Sequence, residues 1–341
     1  MMKPEFIVIL AIVLPCFQAR AQDLVRLTHH PAEDRAPAWS PDGTKLLFTS
    51  DRDGNRSVYL VDADGSNLER ITSLDNIDRY PAWSPDGERV VFQSERNGDG
   101  ALWILELASR NETTLIGDSS PELTPDWSPD GSFIAFTSER SGNIDLWAMP
   151  VFGSALFQLT SNPSRDVWPR WSPNGRSILF FSRRDTNGER DELYIMDWES
   201  REVERITENP THHDFAPDWS PDGERIVTGV SDSDRDRALV IYDRNGQPLE
   251  RFAEGFHRVF QPTWSPDGRF IAFAARVQDG ANADIYLTPA TERSDSRPRS
   301  GKRSEAPGVV SARVHDLGRH ATHHPAADDE ADDEAEAEKT P

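Results

Sequence analysis

The sequence predicts an all-β chain folded as a six-bladed β-propeller of four-stranded blades, and three observations predict it. Trp-Ser-Pro-Asp-Gly begins at Trp39, Trp83, Trp127, Trp219 and Trp264, and Trp171 opens the same pattern with Asn174 in place of Asp. The intervals are 44, 44, 44, 48 and 45 residues, the length of one propeller blade. The sixth unit stops after its third strand, Ile285-Tyr286-Leu287, while a lone fourth-strand pattern, Leu24-Val25-Arg26-Leu27-Thr28, precedes the first. Pairing the two closes the ring.

The first 21 residues read as an export signal, followed by the propeller over 22–289 and a charged tail over 290–341. Lys3 opens a short positive region, Phe6 to Leu14 is an apolar run, and Ala19-Arg20-Ala21 is a small-x-small cleavage site. The single Cys, Cys16, leaves with the signal, so no disulfide is expected although export would allow one. No apolar run reaches the ~18 residues of a membrane helix. The mature chain is therefore expected in the periplasm, or secreted, with no membrane insertion after cleavage. In the tail, Asp328 to Pro341 carries eight acids and one Lys, a composition that cannot bury enough apolar surface to order itself.

Within each unit the elements follow from local chemistry. Ser40-Pro41-Asp42-Gly43 suits a type I turn, with Pro presetting φ and Gly supplying a left-handed exit. Leu46-Leu47-Phe48, Val90-Val91-Phe92, Ile134-Ala135-Phe136, Ile178-Leu179-Phe180 and Ile271-Ala272-Phe273 are continuous apolar runs, as in strands covered on both faces. The third strands carry Tyr59, Trp103, Trp147, Tyr194 and Tyr286. The fourth alternates charged and apolar residues, as in Leu68-Glu69-Arg70-Ile71-Thr72, which suits an exposed edge. The repeated Trp residues are expected to pack between blades.

The motif Pro-x-Trp-Ser-Pro-Asp-Gly, an apolar strand and then Ser-x-Arg-x-Gly, as in Ser138 to Gly142, resembles the repeat of the TolB-like propeller family. The resemblance covers about residues 24–289. It implies a periplasmic, non-catalytic propeller that binds a protein or peptide, such as an envelope lipoprotein as in the Tol–Pal system. The chain is expected to lack the α/β domain that precedes the propeller in TolB.

The formal net charge of −22 argues against nucleic acid and against an anionic membrane surface as partner. It suits basic or cation-bearing partners. No Gly-x-Ser-x-Gly elbow, His-Glu-x-x-His or phosphate loop occurs, so no enzyme is expected. The alternative is a carbohydrate-binding or carbohydrate-active propeller, whose chemistry would draw on paired carboxylates.

Candidate site residues lie where the blade-to-blade loops meet the inner strands. Three positions before the inner-strand Pro stand Asp34, Asp78, Glu122, Asp166 and Asp214, with Val259 in the sixth blade. Two readings are open: a negative collar around the channel mouth, or a structural belt pairing with Arg52, Arg96, Arg140 and Arg184. Blades five and six lack that Arg, with Asp232 and Val277 in its place. Blade five also departs from the repeat at Thr228 and Gly229. A partner-binding rim is therefore expected from Trp168, His212, His213, Phe215, His257, Arg258 and Phe260 together with the five acids. No cofactor is expected, and calcium is the alternative. The alternation Asp232-Ser233-Asp234-Arg235-Asp236 offers carboxylates for it, but Arg237 stands where a calcium loop needs Gly.

Overall fold

A computed structural model describes residues 24–290, apart from 97, 99, 118–119, 233–236 and 278–281 and the side chain of Asp232. The expected signal, the tail beyond Ala290, and Asp234 and Asp236 lie outside the described residues. The described strands form six four-stranded antiparallel sheets and no helix. The first blade sets the pattern: inner strand β2 (Asp34–Trp39), then β3 (Lys45–Ser50), β4 (Ser57–Asp62) and outer β5 (Glu69–Arg70). The other inner strands are β6 (Asp78–Trp83), β10 (Glu122–Trp127), β14 (Asp166–Trp171), β18 (His212–Trp219) and β22 (Arg258–Trp264).

The ring closes as expected. β1 (Val25–Arg26) pairs antiparallel with β24 (Asp284–Pro289), Val25 opposite Leu287 and Arg26 opposite Tyr286, and so completes the sixth sheet with β22 and β23 (Phe270–Arg276). Leu27 N–H donates to Ile285 O at 2.8 Å, Ile285 N–H donates to Thr28 Oγ1 at 2.9 Å, and Arg26 meets Asp284 at 2.6 Å.

Each apolar cluster lies between two successive blades, and six of the seven contain or abut a repeat Trp. Trp127 packs with Val91 and Ile104 of the blade before it, Trp171 with Ala135 and Leu146, Trp219 with Leu179 and Ile195, and Trp264 with Val227 and Ile241. Second-strand Phe stacks on third-strand Tyr within a blade, as in Phe48–Tyr59 at 5.7 Å and Phe273–Tyr286 at 5.9 Å. The Ser-Pro-Asp-Gly turns form a second fastening. Each turn Gly has φ of 70–73°, and a Cβ on it would touch the turn Pro of the preceding blade, from Gly87 on Pro41 round to Gly43 on Pro266. The motif Gly therefore serves both the left-handed turn and the close approach.

Candidate binding sites

The five recurring acids sit at or near the start of the inner strands, and all five are 0% exposed. Arg52 grips both oxygens of Asp34 at 2.9 Å, Arg96 reaches Asp78 at 3.1 and 3.2 Å, and Arg184 reaches Asp166 at 2.6 Å; Arg140 binds Glu122 likewise. The same guanidinium donates through Nε to the Ser ending the second strand, Arg52 to Ser50 at 2.9 Å and Arg96 to Ser94 at 2.7 Å. It also lies over the blade's own aromatics: Arg52 over Phe48 and Tyr59 at 5.1 and 4.9 Å, Arg96 over Trp103 at 4.2 Å. Burial pushes the carboxyls of Asp34, Asp78 and Asp166 up despite these partners. The open negative collar is therefore corrected to a buried structural belt. An acid with no exposed surface touches no partner, and a carbohydrate mechanism loses its acids at this position.

In blade five the hole left by the missing Arg is filled otherwise. Thr207 Oγ1 accepts the Leu193 N–H at 2.9 Å and lies 2.7 Å from both Glu192 Oε2 and Asp214 Oδ2. A hydroxyl donates one proton, so one of the two carboxyls must bring its own. Arg205 lies 3.3 Å from Glu192, whereas burial, with the Glu192 charge adding to it, pushes Asp214 up to about 8. Asp214 is thus the protonated partner near neutral pH. Tyr242 OH donates to Asp214 Oδ1 at 3.3 Å and stands 3.3 Å from His212 Nε2. The neighbouring His213 presents Nδ1 to Asp191, 3.2 Å from its backbone N and 3.4 Å from Oδ2. Burial raises Asp191, but His213, Arg165 and Arg183 outweigh it and hold this carboxyl down at about 2. In blade six the position is wholly apolar: Val259 pairs with Ala275, and Val277 follows where the Arg would stand.

Of the other expected rim residues, Phe260 is buried under Arg35 at 4.6 Å. Trp168, His212, His213, Phe215, His257 and Arg258 keep part of their surface in solvent. Phe215 and Trp168 pack against one apolar cluster. Phe215 also explains Gly229, which pairs with it across the sheet, because a Cβ there would run into the Phe215 ring. Among the described residues no three His, Cys, Asp or Glu side chains converge as a metal site.

The channel itself holds what the repeat did not reveal. Every inner strand breaks register just before its Pro, and the residue preceding that Pro is left-handed: Ala36, Tyr80, Thr124, Trp168, Ala216 and Gln261, with φ of 46–63°. Pre-proline residues favour extended backbone, and non-Gly residues rarely adopt this region, so each bulge stores strain that the closed ring must hold. Tyr80 and Trp168 meet edge to face at 5.2 Å between blades two and four. With Ala36, Thr124 and Gln261 they line a waist whose cavity is only ≈ 10 Å³, room for about one water.

Beyond the waist, toward the Ser-Pro-Asp-Gly turns, the channel widens to a funnel of ≈ 330 Å³. The position between Pro and Trp supplies its wall: Ala38, Ala82, Asp126, Arg170, Asp218 and Thr263. Arg170 lies 3.4 Å from Asp126 and 4.0 Å from Asp218. The other oxygens accept backbone N–H groups, Asp126 from Trp171 at 2.7 Å and Asp218 from Trp264 at 2.9 Å. Burial pushes Asp126 up to about 6, against the pull of Arg170, and raises Asp218 as well.

The family profile described as PD40, TolB beta propeller domain, matches residues 14–81 and 73–190. The Tol-Pal system protein TolB of Syntrophus aciditrophicus is 41% identical over 56 residues, 16% of this chain and 12% of that protein. The match thus spans a small fraction of that relative. The structure of a putative TolB from Agrobacterium tumefaciens superposes with a TM-score of 0.60 at 22% identity, covering 79% of this chain and 98% of that one. An oligogalacturonate lyase from Vibrio parahaemolyticus superposes with a TM-score of 0.57 at 15% identity, covering 82% and 96%. At these identities the two structures share the fold with this chain.

Proposed function

This chain belongs to the TolB beta propeller domain family, and from that premise we propose that it is an exported, non-catalytic propeller of the bacterial periplasm that binds a protein or peptide partner at its loop face. The partner is an exported protein such as an envelope lipoprotein. The observation that carries the reading is the division of labour around the channel mouth. Blades one to four spend their recurring acid and Arg on buried pairs. The sector from blade four to blade six leaves Trp168, His212, His213, Phe215, His257 and Arg258 partly in solvent. Mixed aromatic, imidazole and cationic side chains at and beside the starts of inner strands, held by a rigid ring, suit recognition of a polypeptide.

The test is a pull-down from an envelope extract with the mature chain as bait. A triple variant, Trp168→Ala, His257→Ala and Arg258→Ala, serves as control. One or more proteins enriched on the wild type and lost on the variant support the reading. Equal recovery on both, or none on either, overturns it. A reducing-end assay on the same protein separates it from a carbohydrate-active propeller.

A further inference from the structure

The funnel on the turn face lies on the other side of the waist from the rim just described, and its two halves differ. One half is apolar: Ala38 and Ala82, with Pro37, Pro81 and Trp83 beside them. The other half carries Asp126, Arg170 and Asp218. Two carboxylates share one guanidinium, so with both ionised the trio is left at a net −1. The Asp218 oxygen facing Arg170 stands 4.0 Å from it, beyond hydrogen-bond reach, and its hydrogen bonds come from neutral donors, the Thr263 side chain and the Trp264 N–H, so its charge is only partly balanced. An anion would meet both carboxylates. A neutral ligand would leave the charge imbalance in place. A cation on a slender alkyl stem answers both halves, because its head completes the charge balance while its methylenes cover the Ala and Pro wall. The volume of ≈ 330 Å³ is at the small end of ligand sites.

We propose that this funnel is a binding site for an alkylammonium or alkylguanidinium group, seated with its charged head between Asp126 and Asp218 and its stem against Ala38 and Ala82. The group belongs either to a free amine or to a Lys or Arg side chain of a polypeptide. This site is independent of the loop-face rim, and its failure leaves the rim reading untouched.

Titration calorimetry on the whole mature protein tests it with cadaverine, agmatine and the blocked tripeptide acetyl-Gly-Lys-Gly-amide, against 1,5-pentanediol as the uncharged counterpart. Cadaverine and agmatine are expected to bind at least tenfold more tightly than the diol, and Asp126→Asn or Asp218→Asn to weaken them at least tenfold. Tighter binding of the tripeptide than of cadaverine assigns the site to a polypeptide side chain, and the reverse assigns it to free amines. Thr263→Lys guards against variants that fail to fold. It places an ammonium beside Asp218 from within the chain, and is expected to abolish amine binding while raising the melting temperature. Equal binding of the diol, binding unchanged in both Asn variants, or a response to calcium chloride with none to either amine overturns the proposal.

Discussion

Blades one to four and blades five and six answer the same structural question differently. At the start of the inner strand the first four place a fully buried acid and pay its desolvation with an Arg that also binds a Ser and covers two aromatics. Blade five keeps the acid, Asp214, and neutralises it with a proton inside a Thr207–Glu192–Tyr242 network. Blade six abandons polarity and fills the place with Val259 and Ala275. The comparison teaches that the fold demands a satisfied position there rather than a charged one. The ion pair is one of three solutions, as expected where desolvation nearly cancels Coulomb attraction.

The largest effect should come from breaking one pair on one side only. Arg184→Met strands Asp166 in the interior and is expected to lower stability by about 3–5 kcal/mol, read from a denaturant midpoint at pH 8. The loss should shrink at pH 5, where Asp166 can take a proton. A loss below about 1 kcal/mol at pH 8 would mean that the belt is wetter than its burial implies.

The next effect concerns blade five and is a slope. Asp214 has a folded pKa of about 8 against the ordinary 3.8, so the native state holds an extra proton between those values. Its stabilisation is complete below about pH 4 and is lost as pH rises to about 8, at up to about 1.4 kcal/mol per pH unit. Asp191, held down at about 2, acts oppositely: its contribution is present above about pH 4 and falls as pH drops toward 2. Asp214→Asn should therefore flatten the difference between wild type and variant above pH 8 and gain relative stability as pH rises from 5 to 8. Parallel wild-type and variant curves across that range would remove the protonated acid from the account.

The smallest effect is the sharpest test of equivalence. Asp166→Val, Ser182→Ala and Arg184→Val together install the blade-six solution in blade four. Stability within about 1 kcal/mol of wild type is expected, because both partners of a buried pair leave together. A loss as large as that of Arg184→Met would show that the three solutions are not interchangeable.

Much of this was legible from the repeat. Five Trp-Ser-Pro-Asp-Gly motifs and the Asn174 variant at Trp171 gave blade count, strand order and the seam, because turn chemistry and strand period agree in every copy. The pairing of Asp34 with Arg52 was one of two open readings, since recurrence alone cannot say whether an acid faces water. The bulges were hidden, because Ala36, Tyr80, Thr124, Trp168, Ala216 and Gln261 share no side-chain chemistry and only the Pro after them recurs. The funnel was hidden for the opposite reason. Asp126, Arg170 and Asp218 occupy a position where other blades have Ala or Thr, and a search for what repeats passes over what varies. Gly229 stood out in sequence, but its reason, the Phe215 ring, is a contact between paired strands.

The two-residue strand that joins Val25 to Leu287 makes the earliest described segment of the chain the last to find its partner. During synthesis it waits while more than five blades emerge, and the sixth sheet, made last, keeps an open edge until the two meet. Assembly is thus governed by one very long loop closure, which favours slow maturation and leaves the newborn chain exposed to strand exchange with another copy until the latch engages.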